Sequence, residues 1–292
     1  MAVSKSSPSK IRARQIIDAD IPAVVDLLAK GFSRRGRPYW QRALERLERH
    51  PTPAKYPKYG YALEVDGRIG GVVLLIFTTP RANANRVTWC NVSAWYVDPA
   101  YRAYATILTY PALTHKDVTY LNISPAKHVQ PIIERQGFVR YTDGQFLAFP
   151  LLSRAEDTQT RIVSGAEHPD SRFDQADRDL VRSHLEYGCI GFWCVTSERA
   201  YPFLFVPRLV RRVVPCVQLI YCPSIEDLVR FARPIGRFLT LHGRPLLLVD
   251  SNGPVAGLIG HYFAGRSPKY FRGPNRPRVG DLTYTEAAIF GI

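Results

Sequence analysis

The chain has 292 residues, 46% of them hydrophobic and 22% charged. That length suits about two domains, and that balance excludes a disordered or fibrous chain. The formal net charge is +14, with 21 Lys and Arg against 11 Asp and Glu in residues 1–150 and 18 against 14 in residues 151–292. Such an excess attracts polyanions, whether nucleic acid, anionic lipid or a phosphorylated cofactor, but charge alone does not choose among them.

The N-terminal residues 1–10 are polar and have no apolar core before a cleavage site, so they read as a disordered tail with no export signal. Ile11 to Ile17 reads as a strand. Asp18-Ala19-Asp20-Ile21-Pro22 then opens a helix, because aspartate caps free N–H groups and proline is tolerated in the first turn. Ile21, Val24, Val25, Leu27 and Leu28 give this helix an apolar stripe. A second helix, from about Pro38 to Arg49, stops at Pro51, Pro53 and Pro57.

Tyr61–Val65 and Arg68–Thr78 read as strands joined by Asp66-Gly67, a hairpin signal, and Arg86–Val97 as their third antiparallel partner. A helix from about Arg102 follows. Then come a strand at Val118–Ile123, a helix opened by Ser124-Pro125 and closed by Gln136-Gly137-Phe138, and a last strand.

Residues 151–170 lose periodicity and read as a linker. Beyond it, Asp174–Glu186 has a helical pattern, and Ile190–Thr196, Phe203–Val206 and Val213–Cys222 read as strands. Ser224–Leu241 is a capped helix that Pro234 kinks. The strand Arg244–Asp250 is expected to turn at Asn252-Gly253 into Val255–Phe263. The strand, helix, strand succession at 213–250 echoes 86–123.

Five cysteines without a C-x-x-C pair disfavour a disulfide framework and a zinc site, and imply core thiols in a cytoplasmic protein. The longest apolar run, residues 71–77, is far shorter than the roughly 20 residues that span a bilayer.

The chemistry is expected at Trp95-Tyr96-Val97-Asp98-Pro99-Ala100-Tyr101-Arg102, where a strand passes through an Asp-Pro turn into a helix N-terminus, a ready anion site. This string resembles the GNAT acyl-CoA N-acyltransferase superfamily, whose fourth strand typically ends Leu-Tyr-Val-Asp-Pro-x-Tyr-Arg. The element order over residues 11–150 and Glu134-Arg135-Gln136-Gly137-Phe138, similar to the family's Glu-Lys-Leu-Gly-Phe, extend the likeness. The resemblance implies an α+β fold, a mixed and mostly antiparallel sheet flanked by helices. A GNAT-like domain at 11–150 would be followed by a linker at 151–170 and a second α/β domain of echoing order at 171–292.

It also implies an acyl group moved from acetyl-CoA or a longer acyl-CoA, or from an acyl carrier protein, to an amine by direct attack, without a metal. The backbone of Trp95, Tyr96 and Val97 would pair with pantetheine, and the N–H groups of Arg102, Ala103, Tyr104, Ala105, Thr106 and Ile107 would hold the diphosphate. The family's loop has glycines where Ala105 and Ile107 stand, and its thiolate-protonating tyrosine falls on Ile133. The alternative is therefore a catalytically silent acyl-CoA-binding or interaction protein of the same fold.

Replacement catalytic candidates are Asn91 and Ser93, on the face of Trp95 by two-residue alternation, and Asn122 and Ser124 at the end of the neighbouring strand, where the thioester is expected. Ser124 reads equally as a helix cap, and Glu64 as a base acting through water or a solvated strand residue. His115, His128 and the basic, aromatic segment Lys269–Arg278 read as surface, and Ser224 as a plain cap. No specific nucleic-acid partner is expected.

Overall fold

The computed structural model describes residues 10–79, 87–153, 160–166, 168, 170–210 and 213–291. The expected tail apart from Lys10, the start of the third strand at Arg86, and residues 154–159, 167 and 169 of the expected linker lie outside these. Contacts divide the chain into two compact units. The first comprises residues up to Thr79 together with Thr88–Tyr120, and the second the chain from Leu121 onward, with residues 80–87.

In the first unit β1 (Ile11–Gln15) pairs antiparallel with β2 (Gly60–Val65), which forms a hairpin with β3 (Arg68–Thr78); β3 pairs antiparallel with β4 (Thr88–Val97). The hairpin follows from Asp66-Gly67, both at positive φ (49° and 79°), the conformation that matches the strands' twist. Between β1 and β2 lie α1 (Ile21–Gly31) and α2 (Arg37–Arg49). They bury Val24, Val25, Leu27 and Leu28, and Trp40, Ala43, Leu44 and Leu47, one apolar stripe each. Asp20 does not cap α1. Its carboxylate accepts from the Ile17 N–H and from the Arg14 guanidinium, which fixes the entry to the helix instead. After β4 a short 3-10 helix (Pro99–Tyr104) leads into α3 (Ala105–Ala112) and then β5 (Val118–Asn122).

His50 ends α2 with its ring buried, Nε2 lying 3.0 Å from the Phe77 carbonyl and 2.8 Å from Thr78 Oγ1. Burial depresses its pKa to about 4, against the Phe77 carbonyl, which favours the charged form. The unfolded chain, with an ordinary histidine, binds this proton at higher pH than the folded one. Stability is therefore full above about pH 6.5 and falls as pH drops toward 4, by up to about 3 kcal/mol. Urea melts between pH 7 and 4 are expected to show this loss, and His50→Gln to reduce it; equal slopes in the two proteins would refute the assignment.

In the second unit α4 (Gln130–Arg135) ends in a Schellman turn: Gly137, at φ 87°, donates to the Glu134 carbonyl and Phe138 to the Ile133 carbonyl. The helix starts at Gln130, not at Ser124-Pro125. β6 (Val139–Ala148) follows. The expected linker contains a 3-10 turn (Pro150–Leu152) and β7 (Arg161–Ser164), a strand too short for its alternation to stand out.

Next come α5 (Gln175–Glu186), β8 (Ile190–Val195), β9 (Ala200–Val210), β10 (Val214–Tyr221), α6 (Ile225–Arg230), α7 (Ala232–Leu241), β11 (Leu246–Ser251) and β12 (Gly260–Arg272). Strands β7 to β10 pair antiparallel in sequence order, β10 and β11 pair parallel, and β6 lies between β11 and β12, antiparallel to both. The order β7, α5, β8, β9, β10, α6, α7, β11 follows that of β1 to β5, with one helix in place of α1 and α2 and two in place of α3. Within each unit the strands pair mostly antiparallel and carry helices, as an α+β fold requires.

Two second-unit expectations need correction. The helix Ser224–Leu241 is broken at Phe231, because the ring of Pro234 excludes the carbonyl four residues earlier, that of Arg230. Asn252-Gly253 makes no hairpin between β11 and its successor. The Asn252 side chain bonds the Tyr141 carbonyl and the Asp143 N–H instead, and β12, starting at Gly260, pairs with β6.

Candidate functional site

In the first unit the decisive feature is a β-bulge in β4. Leu74 of β3 faces Ser93 and Val72 faces Tyr96, so three steps of β4 oppose two of β3. Ala94 absorbs the extra residue at φ 43°, a conformation rare outside glycine. The bulge inverts the alternation. Asn91, Ser93 and Tyr96 oppose Ile76, Leu74 and Val72 and share one face, so Trp95 does not continue the face of Asn91 and Ser93.

Asn91 and Ser93 are buried, at 2% and 3% exposure, and the Tyr96 ring covers Gly31 at the end of α1, where a Cβ would sit 2.4 Å from it. Trp95 is partly exposed, yet its indole N–H is buried without a hydrogen-bond partner among the described residues. Val97, buried, packs on Gly71.

Asp98 accepts from the Ala100 N–H and from Lys30 Nζ at 2.6 Å. The Lys30 bond, then that to Ala100, holds its pKa below the usual carboxylate range. The turn it caps is 3-10 as far as Tyr104, so the α-helix begins at Ala105, later than the expected Arg102. An α-helix leaves its first four N–H groups without partners in the helix. That of Ala105 is taken by the Arg102 carbonyl, and Thr106 and Ile107 follow in the same turn. Arg102, Ala103, Tyr104, Thr106 and Ile107 are exposed, Ile107 by 41%.

Glu64 is not a poised base. The bond to Arg14, with that to Arg12, holds its pKa low, and both guanidinium groups occupy its carboxylate. The His115 ring lies edge-on to Tyr56 and Phe77 and is partly buried, not surface.

In the second unit Asn122, at 9% exposure, ends β5. Ser124 caps no helix: its side chain is exposed, and its hydroxyl donates to Oε1 of Glu286, itself only 5% exposed. Ile133, where the resemblance puts a tyrosine, is core at 2%. Ser224 caps α6 through the Asp227 N–H.

Lys269 and Tyr270, expected on a solvated loop, are buried in β12. Lys269 Nζ lies 3.2 Å from Asp250 Oδ1 and donates to the carbonyls of Ile123 and Ser267. Gln145 and Gln218 complete the Asp250 carboxylate. Sequence reading missed Glu286 and Lys269. The signal for Glu286 was a lone charge ahead of the apolar run Ala287–Phe290.

The five cysteines are buried and unpaired. Among the described residues there is no group of three or more His, Cys, Asp or Glu side chains placed to hold a metal, and no helix is long and apolar enough to cross a membrane.

No family model and no curated protein matches this sequence. Solved structures do. A Pyrococcus horikoshii protein, provisionally named an acetyltransferase, matches with TM-score 0.58 and 13% identity over 97% of this chain and 96% of its own. A GCN5-related N-acetyltransferase from Anabaena variabilis matches with TM-score 0.60 and 9% identity over 90% and 72%, and one from Kribbella flavida with 0.54 and 13% over 90% and 71%. At these identities the likeness establishes the fold.

Proposed function

From the GNAT fold that this chain carries, we propose that it transfers an acyl group from acyl-CoA to an amine by direct attack on the thioester. The observation that supports this best is the bulged end of β4, which runs through the Asp98-capped turn into α3. Trp95 lies at this end with a buried indole N–H that has no hydrogen-bond partner among the described residues. The first turn of α3 offers backbone N–H groups and a positive dipole end to a diphosphate, with Arg102 adding charge beside it.

Coenzyme A supplies the activated thioester. The chain's own part is to hold it, polarise its carbonyl with a backbone N–H, exclude water and handle protons, for which Asn91, Ser93, Asn122 and Ser124 are the candidates. The donor is acetyl-CoA or a longer acyl-CoA; an acyl carrier protein presents the same pantetheine thioester. The unpaired buried thiols support work in a reducing, cytoplasmic setting.

A second reading, a silent acyl-CoA binder, is favoured by the buried Ile133 and by side chains at 105 and 107 where the family has glycine. Titration with acetyl-CoA, followed by thiol release in the presence of simple primary amines, separates the two. Binding with turnover supports transfer, binding without it the silent form, and no binding defeats both. Ala105→Asp sets a negative charge against the phosphates and is expected to weaken coenzyme A binding roughly tenfold, about 1.4 kcal/mol. Unchanged affinity in calorimetry would remove this turn as the phosphate site.

A further inference from the structure

We propose that the second unit carries a docking face for an anionic lipid surface, built on the turn Pro150–Leu152 and on α7; it stands independently of the acyltransfer reading above. Four apolar side chains of this face are exposed, those of Phe149, Leu151, Leu152 and Ile259, with Leu152 at 62% and Ile259 at 51%. They are contiguous. The Phe149 N–H donates to the Ile259 carbonyl and the Ile259 N–H to Ser153 Oγ, so the two ends of the turn are both tied to Ile259.

The fold does not account for these side chains. Backbone bonds close the turn, from Leu152 to the Phe149 carbonyl and from Ser153 to that of Pro150, and within the turn it is Pro150 that is buried. Polar residues at 149, 151, 152 and 259 would serve these bonds equally well. Large apolar side chains scattered singly over a surface need no explanation, but four exposed together mark an interaction site.

Charge indicates what the face meets. α7 packs against the turn so closely that a Cβ on Gly236 would lie 2.1 Å from the Leu151 nitrogen. Arg233 and Arg237 lie about 60° and 100° around the helix from Gly236, and therefore on the same side of it. Both are exposed, and neither pairs with a carboxylate among the described residues. The stretch that supplies α7 and Ile259, residues 228–280, holds nine Lys and Arg and a single acid, Asp250. That acid is buried against Lys269. No exposed carboxylate of this stretch thus opposes an anion.

Exposed apolar groups beside arginines suit an anionic bilayer, where the former enter the boundary of headgroups and acyl chains and the latter meet phosphate. A nucleic acid would use the arginines and leave the aliphatic residues without a role. The bilayer uses both.

The test sediments the full chain with vesicles of phosphatidylcholine and with vesicles in which about one quarter of the lipid is phosphatidylglycerol. Wild type is expected to bind the anionic vesicles more tightly than the neutral ones by about tenfold or more. Arg233→Gln combined with Arg237→Gln is expected to weaken that binding about 30-fold, and Leu152→Ser about tenfold. Because these residues are exposed, the melting temperatures should stay within about 2 °C of wild type. A control pair, Arg34→Gln with Arg42→Gln, removes the same charge from exposed positions of the first unit and is expected to change binding by less than about twofold. Wild type that sediments with neither vesicle, or equally with both, overturns the proposal. A control pair that loses as much as the α7 pair also overturns it, since net charge alone would then explain the binding. Vesicle binding that Leu152→Ser leaves unchanged overturns it as well, and a short DNA duplex bound more tightly than the vesicles would then assign the arginines to nucleic acid.

Discussion

Replacing Lys269 with methionine is expected to destabilise the second unit by about 3–5 kcal/mol, because it leaves the Asp250 carboxylate buried without its countercharge. Both side chains are nearly sealed, 3% and 5% exposed. The ammonium also satisfies two backbone carbonyls, those of Ile123 and Ser267, which the thioether cannot. Ser267 sits at φ 55° beside the register shifts of β12, so the variant removes the bond that rewards an irregular stretch. Urea unfolding followed by tryptophan fluorescence measures the loss. The double variant Lys269→Met, Asp250→Asn is expected to recover more than half of it, since asparagine carries no charge and its oxygen still accepts from a glutamine amide. A single variant within 1 kcal/mol of the parent would mean that the pair is not an energetic unit.

Gly236→Ala is expected to lower the melting temperature by about 5–10 °C, although alanine is the better helix former by about 1 kcal/mol. A Cβ on Gly236 would lie 2.1 Å from the Leu151 amide nitrogen and 2.6 Å from both Leu151 Cα and the Pro150 carbonyl carbon. All three are backbone atoms, so no side chain can rotate aside, and α7 would have to withdraw from the Pro150–Leu152 turn at an overpacking cost of about 2–3 kcal/mol. Differential scanning calorimetry decides it, and a raised melting temperature would contradict the close approach.

The sequence made the local elements legible where one strong signal governed each. Asp66-Gly67 fixed the hairpin, Gln136-Gly137-Phe138 fixed the Schellman end of α4, and the apolar stripes fixed the buried faces of α1 and α2. It failed where a distant partner overrode a local preference. Ser124 looks like a cap but its hydroxyl goes to a residue 162 positions later, and Asn252 looks like a hairpin turn but bonds β6. Lys269 carries every mark of a solvated residue, and only the fold brings Asp250 to it. Of the candidate site, the strand and turn at 95–107 were readable from their pattern. The phase of β4 was not, because Ala94 is an unremarkable residue in sequence and a left-handed one in the folded chain.

That left-handed alanine matters to anyone who would reshape the protein by mutagenesis. A library meant to repaint one wall of β4 must take positions 91, 93 and 96; written with the usual stride of two, it would randomise Trp95 and mix two sides of the ribbon in one selection. Any gapless alignment of a relative that lacks the extra residue would carry the same fault, reading inside for outside from position 95 onward. One residue thus sets how far the rest of this strand can be transplanted into another scaffold, or another strand into this one.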